Sequence, residues 1–133
     1  MVFFIDGGAR GNPGLAGYGV RVVGADGSMV DEIAEAIGVA TNNVAEYRGL
    51  LAALEYADAH GLRDITIRSD SELLVRQMRG EYRVRNAGLR ALHAEASRLV
   101  RRIGLVHFEH VRRRQNAEAD ALANKAMDQA RVP

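Results

Sequence analysis

The chain reads as an α/β fold, a five-stranded mixed sheet with helices packed on it. Three strand-like segments joined by turns run as far as Ile37, which suggests an antiparallel meander. From Asn43 the apolar period changes to three and four residues, and strand-like and helix-like segments then alternate. With 133 residues, 47% of them hydrophobic, the chain has the size of one globular domain spanning residues 1–133.

Val2 to Asp6 is an apolar run that predicts a buried strand, and Gly17 to Val23 predicts a second. The turn pair Asp26-Gly27 leads to a third, from Met29 to about Ile37. Val44, Tyr47, Leu50, Leu51, Leu54 and Ala57 share one face of a helix from Asn43 to about His60, ended by Gly61. Asp64 to Ser69 predicts the fourth strand and Glu72 to Arg79 a short helix, and Gly80 to Asn86 is a polar connection. Leu89, Leu92, Ala96, Leu99 and Val100 give the next helix its core face before Gly104. Leu105 to Val111 is the fifth strand, and the Ala-rich segment Ala117 to Ala130 the last helix, packing through Leu122, Ala123 and Ala126. The glycine-rich stretch from Asp6 to Gly14 predicts a wide hairpin loop. It is no phosphate loop, because neither Gly-Lys-Ser/Thr nor a helix follows, and Gly17-Tyr18-Gly19 lacks the third glycine of a dinucleotide fingerprint.

Cysteine is absent, which excludes disulfides, thiolate catalysis and thiolate zinc sites. The opening apolar run is shorter than a signal-peptide core and no stretch reaches membrane-spanning length, so the expectation is a cytoplasmic monomer without a membrane partner. A net charge of +1 conceals a dipole: residues 1 to 75 carry five Arg against eleven acids, and residues 76 to 133 carry thirteen basic residues against six acids. The later half, including Arg112-Arg113-Arg114, can meet the phosphates of a polyanion. The plain alternative is an Arg-rich solvated surface, since Lys125 is the only lysine.

Asp6 closes one apolar run, and Asp70 follows another, Ile65 to Ser69. Two carboxylates at the ends of buried strands repel each other and drift toward protonation unless a cation neutralises them. A hard divalent ion such as Mg²⁺, held by a few carboxylates, answers that need. Glu46 lies in the first turn of a helix, where the dipole favours any acid; Thr41-Asn42-Asn43 just before it caps the helix and adds a polar surface beside the carboxylate. Asp120 and Glu118 are two residues apart, and spacing does not choose between them.

Four segments in order, Asp6-Gly7 with Asn12-Pro13-Gly14, Thr41 to Glu46, Ser69-Asp70-Ser71, and Asn116 to Ala123, together resemble the type 1 ribonuclease H family over nearly the whole chain. The resemblance implies a ribonuclease H-like fold in which the strands ending in Asp6 and Asp70 are parallel neighbours. It implies that Asp6, Glu46, Asp70 and Asp120 are the catalytic and metal-binding carboxylates, which selects Asp120 over Glu118. The implied cofactor is Mg²⁺, two ions per site with Asp6 bridging, or Mn²⁺ in its place. The implied partner is an RNA–DNA hybrid, whose RNA strand is cut endonucleolytically to leave 3′-hydroxyl and 5′-phosphate ends.

By the same resemblance, backbone groups near Gly7 and Asn12, the amides of Asn12, Asn42 and Asn43, and Ser71 read the 2′-hydroxyl. Thr41 belongs to a DNA-phosphate pocket in which Val39 stands where some members carry arginine. The chain looks like the compact variety, because residues 80 to 86 pass quickly into the next helix without a basic protrusion; Arg83, Arg85 and Arg90 are expected to take over part of its phosphate contacts. The loop before the last helix lacks the histidine of many members, and Arg113 or Arg114 is the expected electrostatic substitute, Arg114 being the one assigned to substrate binding, with His110 on a strand end. The competing readings are a resolvase- or integrase-like nuclease, and a hybrid-binding module without catalysis.

Overall fold

The computed structural model describes residues 1–130, so the last three residues of the single expected domain lie outside it. Its strands are β1 (Val2–Gly11), β2 (Gly14–Val23), β3 (Met29–Ala40), β4 (Asp64–Ser69) and β5 (Leu105–His110). Its helices are α1 (Asn42–Ala59), α2 (Glu72–Met78), α3 (Ala87–Ile103) and α4 (Ala117–Ala130). The five strands form one mixed sheet in the order β3-β2-β1-β4-β5, antiparallel through β3-β2-β1 and parallel through β1-β4-β5. The expected fold class and the parallel pairing of the first and fourth strands are both present.

Helices α1, α2 and α3 each start on a polar cap. Thr41 Oγ1 accepts from the Val44 N–H at 3.2 Å at the head of α1, Ser71 Oγ from Leu74 N–H at 3.2 Å at α2, and Asn86 Oδ1 from Gly88 N–H at 2.8 Å at α3. Side chains alternate across β2: Tyr18 meets α1, whereas Gly17 and Gly19 face α4. The α1 side holds the main core, with Phe3, Ile5, Val20, Tyr47, Leu50, Leu54, Ile65 and Ile67 buried, and each such large side chain contributes about 1.5–3 kcal/mol on burial. No helix among the described residues is long and apolar enough to cross a membrane.

The glycine-rich stretch is not a wide loop. Strand β1 runs on through Gly11, which pairs with Gly14 and leaves only Asn12-Pro13 at the hairpin tip. Gly7 in this stretch and Gly19 on β2 answer close approaches of the chain instead of flexibility. A Cβ on Gly7 would lie 2.4 Å from the Ala45 carbonyl carbon, and one on Gly19 would lie 2.5 Å from the Ala119 carbonyl oxygen. Those contacts let α1 and α4 sit directly against β1 and β2 near Asp6. The basic segment before α4 also differs from a plain loop, because Arg113–Asn116 forms one 3-10 turn.

Candidate metal centre

Asp6 is within β1 rather than at its end, at the point where the strand loses a neighbour. Pairing with β4 stops at Ile5 opposite Ser69, while pairing with β2 continues to Gly11. Asp70 is the first residue after β4, so both carboxylates enter the notch where the parallel ladder ends. Glu46 comes from the first turns of α1, held against β1 by Gly7, and Asp120 from the first turn of α4.

Carboxylate oxygens of Asp6, Glu46 and Asp70 lie within 4.8 Å of one another. Asp120 is outside that trio but lines the same cleft of about 360 Å³. Burial raises Asp6 from an ordinary 3.8 to about 8, helped by the Asp120 hydrogen bond and the Asp70 charge. Burial, then the charges of Asp6 and Asp70, raises Glu46 to about 9. Burial likewise raises Asp70, opposed by Arg113 and by a hydrogen bond from Asn116. Glu46 Oε2 is buried with no hydrogen-bond partner. A set of hard oxygen donors that forms no ion pair with a side chain among the described residues, one of them an orphaned buried oxygen, fits a divalent cation such as Mg²⁺.

A stability test follows from these shifts. Between about pH 4 and 8–9 the folded protein holds protons on Asp6 and Glu46 that the unfolded chain has released, so stability without metal falls as pH rises. Mg²⁺ is expected to offset the charge, and the gain in Tm on adding it to chelator-treated protein should therefore be several degrees larger at pH 8.5 than at pH 5.5. An equal gain at both values would contradict the electrostatic reading.

Of the expected substrate-reading residues, Gly7 and Asn42 line the cleft. Asn42 Oδ1 accepts from the Ala9 N–H at 2.7 Å, and Asn12 Oδ1 accepts from the Asn42 N–H at 3.0 Å. Both amide oxygens are thus used internally, which leaves the NH₂ groups of two exposed side chains as donors. Asn43 is also exposed. Thr41 and Ser71 use their oxygens as helix caps and retain hydroxyl hydrogens. Gly7 is buried, and its N–H bonds the Asp6 carboxyl. Of the three consecutive arginines it is Arg113 that lines the cleft and lowers Asp70 and Glu46, whereas Arg114 is exposed on the 3-10 turn. His110 ends β5 with Nε2 3.3 Å from the Asp70 carbonyl oxygen.

Three residues at the site escaped the sequence reading of roles. Asn116 is fully buried and its Nδ2 donates to the Ile5 carbonyl at 2.8 Å, which ties the turn before α4 to β1 beside Asp6. Its position four residues before Asp120 in the last motif is the signal that marks it. Arg10 and Asn124 also line the cleft, and nothing in their local sequence distinguishes them.

The family model described as reverse transcriptase-like matches residues 4–126. The bifunctional protein Rv2228c of Mycobacterium tuberculosis is 47% identical over 131 residues, which cover 98% of this chain and 36% of that protein. The crystal structure of RNase H1 from Halobacterium salinarum is 42% identical with a TM-score of 0.93, covering 96% of this chain and 97% of that one. LC11-RNase H1, solved in complex with an RNA/DNA hybrid, is 41% identical with a TM-score of 0.92, covering 97% of each chain. The chain thus spans about a third of the mycobacterial relative. Agreement in sequence and backbone over almost all of these RNase H1 chains, beyond what a shared fold alone would give, means that this chain belongs to the type 1 ribonuclease H family.

Proposed function

We propose that the chain hydrolyses the RNA strand of RNA–DNA hybrids endonucleolytically, leaving 3′-hydroxyl and 5′-phosphate ends, with Mg²⁺ as the cofactor, two ions per site, and Mn²⁺ as the alternative. The observation that carries the reading is the trio Asp6, Glu46 and Asp70, whose carboxylate oxygens converge in one cleft that Asp120 also lines. When bound, divalent ions supply an activated water and stabilise the departing 3′ oxygen. Asp6, Glu46, Asp70 and Asp120 would hold the cations, with Asp6 buried and the other three partly exposed to the cleft from which substrate would approach. Asn116 ties the turn before α4 to β1 beside Asp6 through its bond to the Ile5 carbonyl. The amides of Asn12, Asn42 and Asn43 and the Ser71 hydroxyl offer donors to RNA 2′-hydroxyls, and Thr41 faces the DNA strand. Arg113 places a permanent guanidinium charge at the cleft; Arg114, exposed one residue on, reaches phosphate outside it. One copy contains every residue named, which supports action as a monomer.

The test is a labelled RNA–DNA hybrid incubated with and without Mg²⁺, beside DNA and RNA duplexes of the same sequence. Metal-dependent cuts confined to the RNA of the hybrid are expected. Cleavage of the DNA duplex would favour a resolvase-like nuclease. Tight hybrid binding without cleavage under any divalent ion would leave a binding module, an outcome disfavoured because bare carboxylates repel phosphates.

Arg83 and Arg85 are exposed before α3, and Arg90 Nε donates to the Val84 carbonyl at 3.2 Å, which folds the segment against the helix. Replacing all three with Ala is expected to weaken hybrid binding and to reduce the slope of log affinity against log salt by ~0.9 per lost phosphate contact, if duplex behaviour carries over. Turnover at saturating hybrid should change much less. An unchanged salt slope would return these arginines to a solvated surface.

A further inference from the structure

On the side of Asp120 away from β4 runs a line of polar contacts that the proposed reaction does not use. Asn124, one turn further along α4 and half-buried, donates from Nδ2 to Asp120 Oδ2 at 3.3 Å and to the Asp120 carbonyl at 3.0 Å. Its Oδ1 and its carbonyl each accept from Arg10 Nη2 at 3.4 Å. Arg10 Nη1 is in turn ion-paired with Asp128, a further turn along the helix. A side-chain amide can face either way in a helix groove, but a guanidinium has only donors. Arg10 therefore fixes the oxygen of Asn124 toward itself and the NH₂ toward the Asp120 carboxylate. Arg10 belongs to β1 and Asn124 to α4, so these contacts join, at a second point, the two elements that carry Asp6 and Asp120.

We propose that Asn124 is a positioning residue for Asp120, oriented by Arg10, and that this pair sets how tightly the Asp6 and Asp120 side of the cleft takes a divalent cation. The inference rests on the reading of Asp120 as a metal ligand. Partners that orient a ligating carboxylate without touching the ion commonly change metal affinity or activity 10- to 100-fold when removed. Two plainer roles compete with it: a bond from Asn124 that merely steadies the helix, and an Arg10 that contacts substrate phosphate.

Mg²⁺ alone, titrated into chelator-treated protein and followed by thermal shift and calorimetry, separates these roles without any hydrolysis, and steady-state cleavage of a labelled hybrid adds a second readout. Asn124→Ala is expected to raise the Mg²⁺ midpoint about tenfold and to lower kcat at limiting Mg²⁺, with KM for the hybrid unchanged and much of kcat recovered at high Mg²⁺. Arg10→Ala should move the midpoint in the same direction, and Arg10→Lys should restore part of it. An unchanged midpoint in Asn124→Ala, or a Tm lowered equally with and without Mg²⁺, would overturn the proposal and leave a structural role. A raised KM in Arg10→Ala at an unaltered midpoint would overturn the orienting role of Arg10. If the unmodified protein itself showed no Mg²⁺-dependent shift, the metal reading of the site would fail, a result distinct from a shift that Asn124→Ala leaves in place.

Discussion

Asp70→Asn is expected to lower hydrolysis of the hybrid by about 10³-fold or more, on the order of 4 kcal/mol of transition-state stabilisation, while making the metal-free protein more stable. The two effects have one cause. Asp70 brings a carboxylate oxygen within 4.8 Å of oxygens on Asp6 and Glu46, and its charge raises the proton affinity of both. A neutral amide of the same shape removes that repulsion, so without metal Tm should rise, most clearly near pH 8, where the raised carboxylates are losing their protons. The amide also presents a weaker ligand, so the Mg²⁺-induced gain in Tm should shrink. Near-native cleavage by Asp70→Asn at saturating Mg²⁺ would remove Asp70 from the site. A lower metal-free Tm would show that the attraction between the Asp70 carboxylate and Arg113 outweighs the repulsion.

Most of this architecture was legible because apolar spacing is a local signal. The strands β4 and β5 and the helices α1 and α4 fall where period and caps place them, within a residue or two. Asp6 and Asp70 stood out as charges beside apolar runs, although the parallel pairing that brings them together came from the family resemblance and not from the strands themselves. The hairpin was misread because a glycine required by a neighbouring backbone looks the same in sequence as one required by a turn. Gly7 and Gly19 are small for the sake of α1 and α4, which lie far along the chain. A run of three arginines carries no phase, so only the 3-10 turn decides that Arg113 enters the cleft and Arg114 does not. The pairing of Arg10 with Asn124 across 114 positions is invisible to any local pattern.

Gly7→Ala is expected to cost both stability and activity, because the distance between β1 and α1 at this point is what carries Glu46 to Asp6. The added Cβ would lie 2.4 Å from the Ala45 carbonyl carbon and oxygen and 2.6 Å from the Glu46 nitrogen, and all three are backbone atoms that no rotamer change can move. The start of α1 must therefore shift outward by a large fraction of an ångström, and the Glu46 carboxylate moves with it. Overpacking of this kind costs about 1–3 kcal/mol, which lowers Tm by roughly 4–11 °C in a domain of this size. Gly8→Ala is the control: its Cβ would meet nothing nearer than Asn42 Oδ1 at 3.8 Å, so Tm should stay within a degree or two of the unmodified protein. In the Gly7→Ala protein, at a temperature where it remains folded, the Mg²⁺ midpoint should rise and hybrid cleavage should fall at least tenfold, since ligand displacement acts on the cation site and not on the phosphate contacts. A Gly7→Ala variant with unchanged Tm and Mg²⁺ midpoint would mean that α1 can yield without moving Glu46, and the close approach at Gly7 would then have no part in forming the centre.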